Sequence, residues 1–348
     1  MAGNKLQRWY QHVLSDFKKE SEKKKDWIAE GDKYKTESPK NRSIFRKVFV
    51  PIFKPENMGE NLAIDEKSIG DEVYTILSNK DTGKAITVIE GLKQKMLGKI
   101  MSHLPQGKRF QVKTISKDLA QNFDWIARTM FPNAQRIADK FHIVKLALEA
   151  LQAVRTRYRQ EVLKAERLRR EGHKAQQAEL RDQTQKEGLK HKTQPLSSLK
   201  PLANGDTRLE LLARGRGLLF KHRSEWTESQ TERAKILFTE FPQIEKVYDL
   251  VEAFRGFYNR RPGIGAKDEA RKTLKEWFKK VGGSEIDEVQ NFASTIDHHQ
   301  YQILNYFDEG HTNAFAESLN AKIQRFLFNN YGIKNKDFFF FRLNNLIA

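Results

Sequence analysis

The sequence predicts an α/β protein with a mixed sheet core and a large α-helical insertion, on three observations. The runs LAIDEKSI, EVYTILSN and KAITVIEG are rich in β-branched residues and are separated by GD and KDTG, a pattern typical of an antiparallel meander. Helical and strand-like stretches then alternate as far as AQRIAD at 134–139. Beyond Phe141 the pattern is almost wholly helical.

The chain is longer than one compact core usually covers, which favours a core with an insertion. The predicted parts are a basic N-terminal helix and linker (1–57), the first part of the sheet core (58–145), a helical insertion (146–305) and closing helices that carry Glu317 (306–348). Within the insertion, residues 171–201 are polar with few apolar side chains, and we predict that they are flexible.

The charge balance indicates a polyanionic partner. Lys and Arg number 63 against 45 Asp and Glu, which gives a net charge of +18. A charge of that size raises the local concentration of nucleic acid first and of anionic membrane second. General solubility is the alternative explanation, but acidic surfaces provide solubility equally well, so we favour nucleic acid.

Three features that the sequence lacks narrow the class of protein further. The chain has no cysteine, which excludes disulfides and thiolate zinc sites and fits an intracellular compartment. The N-terminus lacks an apolar signal core, and no uncharged run is long enough to span a bilayer. The sequence therefore predicts a soluble cytoplasmic protein.

Two aspartates in the predicted core are candidate site residues. Asp65 lies near the middle of the first strand, where alternation separates it from Glu66, although acids on edge strands are common. Asp118 directly follows FQVKTIS, the predicted fourth strand, and from its position alone capping of the next helix is the stronger interpretation. Its place at the end of a strand next to the first one also suits a second carboxylate that meets Asp65.

The stretch TNAFAESLNAKIQ supplies a third carboxylate, Glu317. At helical spacing, Glu317 shares a face with amides instead of lysines or arginines, while an apolar stripe occupies the opposite side. The amides are Asn313, Asn320 and Gln324, and the stripe is Phe315, Leu319, Ile323 and Phe326. Such a face could be simply solvated, but amides can also hold a carboxylate, a phosphate or a water without competing for a metal.

Three carboxylates from two strands and a helix form an oxygen-rich site suited to Mg²⁺ or Mn²⁺. Two such ions about 4 Å apart can activate a water or a 3′-hydroxyl for in-line phosphoryl displacement. The positive surface would hold a nucleic-acid backbone, and the ions would allow the acidic pocket to face a phosphate.

Five blocks in order carry a family resemblance: AIDE, KDLAQNF, FPNAQRIADKFHIVK, TNAFAESLNAKIQ and GIKNKDFFFFRL. The chain resembles the DDE transposases of bacterial insertion sequences, of the ISL3 type. The resemblance implies an RNase H-like mixed sheet core with a helical insertion before the last catalytic helix. It also implies that Asp65, Asp118 and Glu317 are the catalytic acids and hold two Mg²⁺ or Mn²⁺ ions. Asp139 and His142 match an Asp-x-x-His signature of related transposases, and with Asn313 and Asn320 they are the supporting candidates.

The implied activity is cleavage of DNA strands and their transfer to target DNA in the bacterial cytoplasm, in association with the nucleoid. Double-stranded DNA is the implied substrate, and a homo-oligomer is expected because two element ends must meet. The zinc motif and helix-turn-helix modules of full-length relatives have no counterpart here, so we expect either that a separate polypeptide recognises the element ends or that this copy is incomplete. A catalytically decayed DNA-binding remnant and a nuclease without strand joining are the alternatives. No individual DNA-binding residue is assigned.

Overall fold

The computed structural model describes residues 9–19, 48–186, 193–308, 314–330 and 335–348, without the side chains of residues 12, 14 and 314–317. The chain divides into two compact units, Met1–Asp139 with Gly310–Ala348, and Lys140–Glu309. The linker predicted before residue 57 lies outside the described residues over 20–47, and Tyr10–Leu14 forms a single helical turn.

The first unit contains all the strands: β1 (Ile52–Phe53), β2 (Asn61–Ile69), β3 (Glu72–Asn79), β4 (Ala85–Glu90), β5 (Thr114–Lys117) and β6 (Gln135–Ala138). Its helices are α1 (Gln94–Met101), α2 (Gln106–Phe110), α3 (Gln121–Met130), α11 (Ala314–Asn329) and α12 (Lys336–Ile347). The second unit contains α4 (Lys140–Lys186), α5 (Arg208–Leu218), α6 (Glu228–Glu240), α7 (Pro242–Phe257), α8 (Ala266–Gly282), α9 (Asp287–His298) and α10 (Gln300–Leu304).

The six strands form one mixed sheet in the order β1-β4-β3-β2-β5-β6. The meander β2-β3-β4 is antiparallel, whereas β5 runs parallel to β2 and β6 runs parallel to β5. Parallel pairing requires a crossover, and α1 to α3 provide the connections on the way to β5 and β6. The predicted fold class is confirmed, with a mixed sheet core and a helical segment inserted before the closing helices.

Each face of the sheet carries its own apolar core. On one face, Leu62, Ile64 and Ile115 pack with Leu97 of α1 and Phe123 of α3. On the other, the strands pack against α11 and α12; the shared core residues include Ile69, Tyr74, Ile76, Leu319, Ile323, Phe339 and Phe340. The four consecutive phenylalanines near the start of α12 are all buried.

Gly98 allows α1 to approach α3 closely. A Cβ atom at Gly98 would meet Cζ3 of Trp125 at 2.8 Å, closer than real Cβ contacts come.

Gly98→Ala is therefore expected to destabilise the protein by about 1–3 kcal/mol, because overpacking exceeds the gain in helix propensity. Thermal denaturation measures this, with Gly172→Ala as the control. Open space surrounds Gly172, so that change should stabilise by about 0.5–1 kcal/mol. Equal shifts in melting temperature for the two variants would contradict the close packing of Gly98 against Trp125.

The second unit is built on α4, which runs for 47 residues. Residues 171–186 continue this helix, so the flexibility predicted from residue 171 is wrong for that part. The segment is rich in Ala, Gln, Glu, Lys and Arg, which have high helix propensity, and Arg167 pairs with Glu171 one turn later at 2.7 Å. Residues 187–192 are outside the described residues, and 193–201 have no regular structure.

The remaining helices of this unit enclose an aromatic core. Phe254 lies at its centre, with ring centroids of Trp277 and Phe292 at 4.9 and 5.0 Å. Thr227 caps the start of α6 in a capping box with Gln230. Across the ranges that the structure describes, no helix has the length and apolar character needed to cross a membrane.

Candidate active site

Sheet register places three aspartates in one row. Ile64 of β2 is level with Lys117 of β5, and Lys117 is level with Ala138 of β6. The next residue along the chain is Asp65 within β2, Asp118 just past the end of β5 and Asp139 just past the end of β6, and we call these three the acid row. The backbone N–H of Asp139 donates to the Lys117 carbonyl at 2.9 Å, which continues the β5–β6 ladder into the row. Residues level on neighbouring parallel strands point to the same face, and such strands are about 4.8 Å apart.

The acid row lies on the sheet face that α11 covers. Asp65 is directly opposite Ile76 on the antiparallel neighbour β3, so both side chains point to the same face. Ile76 in turn belongs to the core that contains Leu319 and Ile323 of α11. The predicted apolar stripe of this helix therefore packs on the sheet at Leu319 and Ile323, beside the acids.

Asn320 of α11 binds the first acid of the row. Its side-chain Nδ2 donates a hydrogen bond to Oδ2 of Asp65 at 2.7 Å. The other carboxylate oxygen, Oδ1, accepts from the backbone N–H of Glu66 at 2.8 Å. Two donors thus fix the orientation of the Asp65 carboxylate, and the amide predicted as a supporting residue contacts a predicted catalytic residue.

Position 317 lies on α11 one turn before Asn320, on the same side of the helix. The Glu317 side chain is not among the described side chains, and Asn313 lies outside the described residues. The backbone of α11 thus brings position 317 to the covered face, while the contacts of Glu317 remain a prediction.

Asp118 does not cap the following helix. The helix α3 begins at Gln121, its N-cap position is Ala120, and that cap makes no side-chain hydrogen bond. Oδ1 of Asp118 instead accepts from the backbone N–H of Leu119 at 2.5 Å. Because two residues separate Asp118 from the helix, the capping interpretation is wrong. Asp118 directly follows Lys117, which is paired with Ile64, the residue before Asp65.

A buried ion cluster that sequence reasoning missed lies next to the row, on the opposite face of β5. Lys117 is only 1% exposed, and its Nζ contacts Oδ1 of Asp124 on α3 at 3.2 Å. It also donates to the backbone carbonyl of Asp118 at 3.3 Å. Arg136 and Arg128 both bind the same Asp124 carboxylate, at 3.0 and 2.7 Å. The only sequence signal was a lysine at an inward-facing position of β5.

The pKa values of this cluster follow from burial and pairing. Burial lowers the pKa of Lys117, and the charge of Asp124 and its hydrogen bond oppose that shift. Burial alone would raise the pKa of Asp124, but Lys117, Arg136 and Arg128 together more than offset it, so the pKa is lowered. The cluster fixes the backbone at the point where Asp118 leaves β5.

The two residues of the Asp-x-x-His signature fall in different units. Asp139 ends the acid row in the first unit. His142 lies in the first turn of α4 in the second unit, half-buried, with its ring edge-on to Phe141 at 5.7 Å between centroids. A pairing of His142 with Asp139 stays a prediction.

The donor set fits a hard divalent cation. Carboxylate oxygens are the ligands that Mg²⁺ and Mn²⁺ prefer, and Asp65 and Asp118 are level on adjacent strands. No group of three acids or histidines among the described side chains is placed to hold a metal ion. The side chain of Glu317, the third predicted ligand, is not among the described side chains, so its part in a metal site stays a prediction.

Comparisons with known proteins agree on one family. A family model described as Transposase, of the DDE ISL3 type, matches residues 62–343. The transposases for insertion sequence element IS1557 from Mycobacterium tuberculosis strains CDC 1551 and H37Rv are each 24% identical over 253 residues. That match covers 72% of this chain and 51% of each relative, so the chain spans about half their length. No solved structure matches.

Proposed function

Because the chain belongs to the transposase family of the DDE ISL3 type, we propose that it catalyses metal-dependent cleavage and transfer of DNA strands at insertion-sequence ends. The observation that supports this most is the placement of Asp65 and Asp118 at one level of neighbouring strands, under the helix that carries Glu317. Membership of this family supports DNA as the substrate class, and the net charge of +18 suits a polyanion.

In the proposed site, Asp65, Asp118 and Glu317 hold two Mg²⁺ or Mn²⁺ ions. Such ions, when bound, activate a water or a 3′-hydroxyl and stabilise the leaving oxygen in an in-line displacement. Asn320 keeps the Asp65 carboxylate in one orientation through its hydrogen bond. By themselves these carboxylates would repel the scissile phosphate, and bound cations would offset that repulsion.

Lysines and arginines outside the site hold the DNA backbone. Binding by many phosphate contacts releases counterions, so affinity should fall steeply as salt increases. Two element ends must meet for transposition, which calls for a homo-oligomer on DNA. Recognition of the end sequence is proposed for a separate polypeptide.

The test is Mg²⁺- or Mn²⁺-dependent cleavage and joining of labelled DNA that carries the element's own ends. Wild type is compared with Glu317→Gln, which keeps the shape of the side chain and removes one charged ligand. The proposal predicts cleaved and joined products with wild type, and DNA binding without products with the variant. Equal activity in both proteins would refute the three-carboxylate site.

The alternatives predict different products in the same assay. A nuclease of this fold would give cleaved DNA with no joined species. A decayed remnant would bind DNA with no turnover in any metal, and it would respond to neither Mg²⁺ nor Mn²⁺. Addition of an end-recognition protein that restores turnover would support the proposal over the remnant.

Asn320→Ala is expected to lower the rate of cleavage about tenfold, with little change in melting temperature. The variant removes the hydrogen bond that orients Asp65, and groups that orient metal ligands typically contribute 10–100-fold. Gln324→Ala is the matched control, because Gln324 is exposed one turn later on the same helix. A rate unchanged by Asn320→Ala, or lowered equally by the control, would contradict this role.

A further inference from the structure

Lys80 lies on the catalytic face of the sheet. Ser78 of β3 is level with Ala63 of β2, and the backbone N–H of Lys80 donates to the Asn61 carbonyl at 2.8 Å. Alternation along β3 therefore places Lys80 on the same face as Ser78 and Ala63. Ala63 precedes Asp65 by two residues, so this is also the face of the acid row.

The Lys80 ammonium is buried without a direct partner. Lys80 is 4% exposed, and within the described part of the chain its Nζ has no hydrogen-bond partner. The Ser116 hydroxyl, two residues before Asp118 and on the same face, is likewise buried without one. Buried lysines are normally paired, so an unpaired ammonium in a polar strip of this face calls for an explanation.

The carboxylate of the row that acts on Lys80 is Asp139. Burial lowers the pKa of Lys80 to about 8, and the charges of Asp139 and Asp81 oppose that shift. At neutral pH the ammonium is therefore charged. Since no hydrogen bond joins the two groups, Lys80 acts on the row through its charge and not by orienting a carboxylate.

We propose that Lys80 is an internal counter-charge of the acid row, which offsets the charge of Asp139 before cations bind and weakens divalent-cation binding to the row. Adjacent carboxylates disfavour each other's ionised form, and a nearby ammonium opposes that effect. The same positive charge repels an incoming cation. This role rests on the proposed metal site, where Lys80 acts through its charge and is not a ligand.

The test is a titration of the full chain with Mn²⁺ alone at pH 7, without DNA, with free Mn²⁺ measured by electron paramagnetic resonance. Lys80→Met removes the charge and keeps the length of the side chain, and Lys80→Arg keeps the charge. Lys84→Met is the matched control, because Lys84 is exposed in the same β3–β4 turn and its removal changes the net charge equally. Lys80→Met is expected to bind Mn²⁺ at about fivefold lower concentration than wild type, with the other two variants unchanged.

Equal Mn²⁺ midpoints for Lys80→Met and Lys84→Met would overturn the counter-charge. If Lys80→Met does not fold, the double variant with Asp139→Asn decides: restored folding supports the counter-charge, and continued unfolding overturns it. Glu317→Gln separates the two proposals. Loss of Mn²⁺ binding in Glu317→Gln with no effect of Lys80→Met leaves the metal site standing and removes this role. Failure of wild type to bind Mn²⁺ removes both.

Discussion

Asp65→Asn should reduce strand cleavage by at least about a thousandfold while the protein stays folded and continues to bind DNA. An amide oxygen is a neutral ligand, and a loss of about 4 kcal/mol in transition-state stabilisation corresponds to a thousandfold. Single-turnover cleavage of labelled element ends in Mg²⁺ measures the effect. The amide can still accept one of the two hydrogen bonds that Asp65 accepts from Asn320 and Glu66, so the melting temperature should change little.

Glu66→Gln provides the matched control for this prediction. Glu66 is the next residue on β2, it is exposed, and alternation directs it to the opposite face. The same loss of one charge at this position should leave the rate within about twofold of wild type, because exposed charges distant from the site contribute little. Comparable losses from both variants would indicate a general charge effect and would contradict a site built on Asp65.

Asp124→Ala is expected to destabilise the protein by about 3–5 kcal/mol, measured by urea denaturation. The substitution leaves Lys117 as a buried charge without its carboxylate and also removes the shared partner of Arg136 and Arg128. Glu60→Ala breaks an exposed pair with Lys113 in the same unit and should cost only about 0–1 kcal/mol. Similar losses of unfolding free energy for the two variants would show that burial of the ion cluster does not determine its contribution to stability.

The pH dependence of the Asp124→Ala effect follows from the lowered pKa of Asp124 in the folded protein. A carboxyl whose pKa is depressed on folding contributes its stability above its unfolded pKa of about 3.9. That contribution is lost as the pH falls through the lower folded pKa. The stability difference between wild type and Asp124→Ala should therefore be constant near neutral pH and should narrow below about pH 4. A difference independent of pH would contradict the ion pairing.

Local patterns were sufficient to predict the strands of the core. Turn residues in GD and KDTG mark the ends of β-branched runs, and these determine β2, β3 and β4 without any long-range information. The apolar stripe of α11 was equally visible, and Leu319 and Ile323 pack on the sheet as expected. Where a structure depends on residues within a few positions of each other, sequence patterns determine it well.

Contacts between distant strands were not predictable from patterns alone. Whether Asp65 and Asp118 come to lie side by side depends on the parallel register of β2 and β5, which no local pattern specifies. The capping interpretation of Asp118 was wrong because the chain inserts two further residues before α3 begins. Asp139 joins the row through a second parallel register, between β5 and β6.

Buried charges were the features that sequence reasoning missed. Lys117 and Lys80 lie in segments where a lysine normally indicates solvent exposure, and Lys80 falls at the start of a predicted turn. The carboxylate that pairs with Lys117, Asp124, and the carboxylate whose charge acts on Lys80, Asp139, lie elsewhere in the sequence. The continuation of α4 through residues 171–186 was missed for a different reason. The low apolar content of this segment was given more weight than the high helix propensity of its residues.

Localised cleavage of the protein chain by Fe²⁺ would test the central claim most directly. Iron that replaces Mg²⁺ at an oxygen-ligand site generates radicals with ascorbate and peroxide, and these cut the nearby backbone. The account predicts cuts near residues 65, 118 and 317, suppressed by excess Mg²⁺ and absent in Asp65→Asn. Cuts that map elsewhere, or that persist in Mg²⁺ and in the variant, would contradict a cation site formed by these carboxylates.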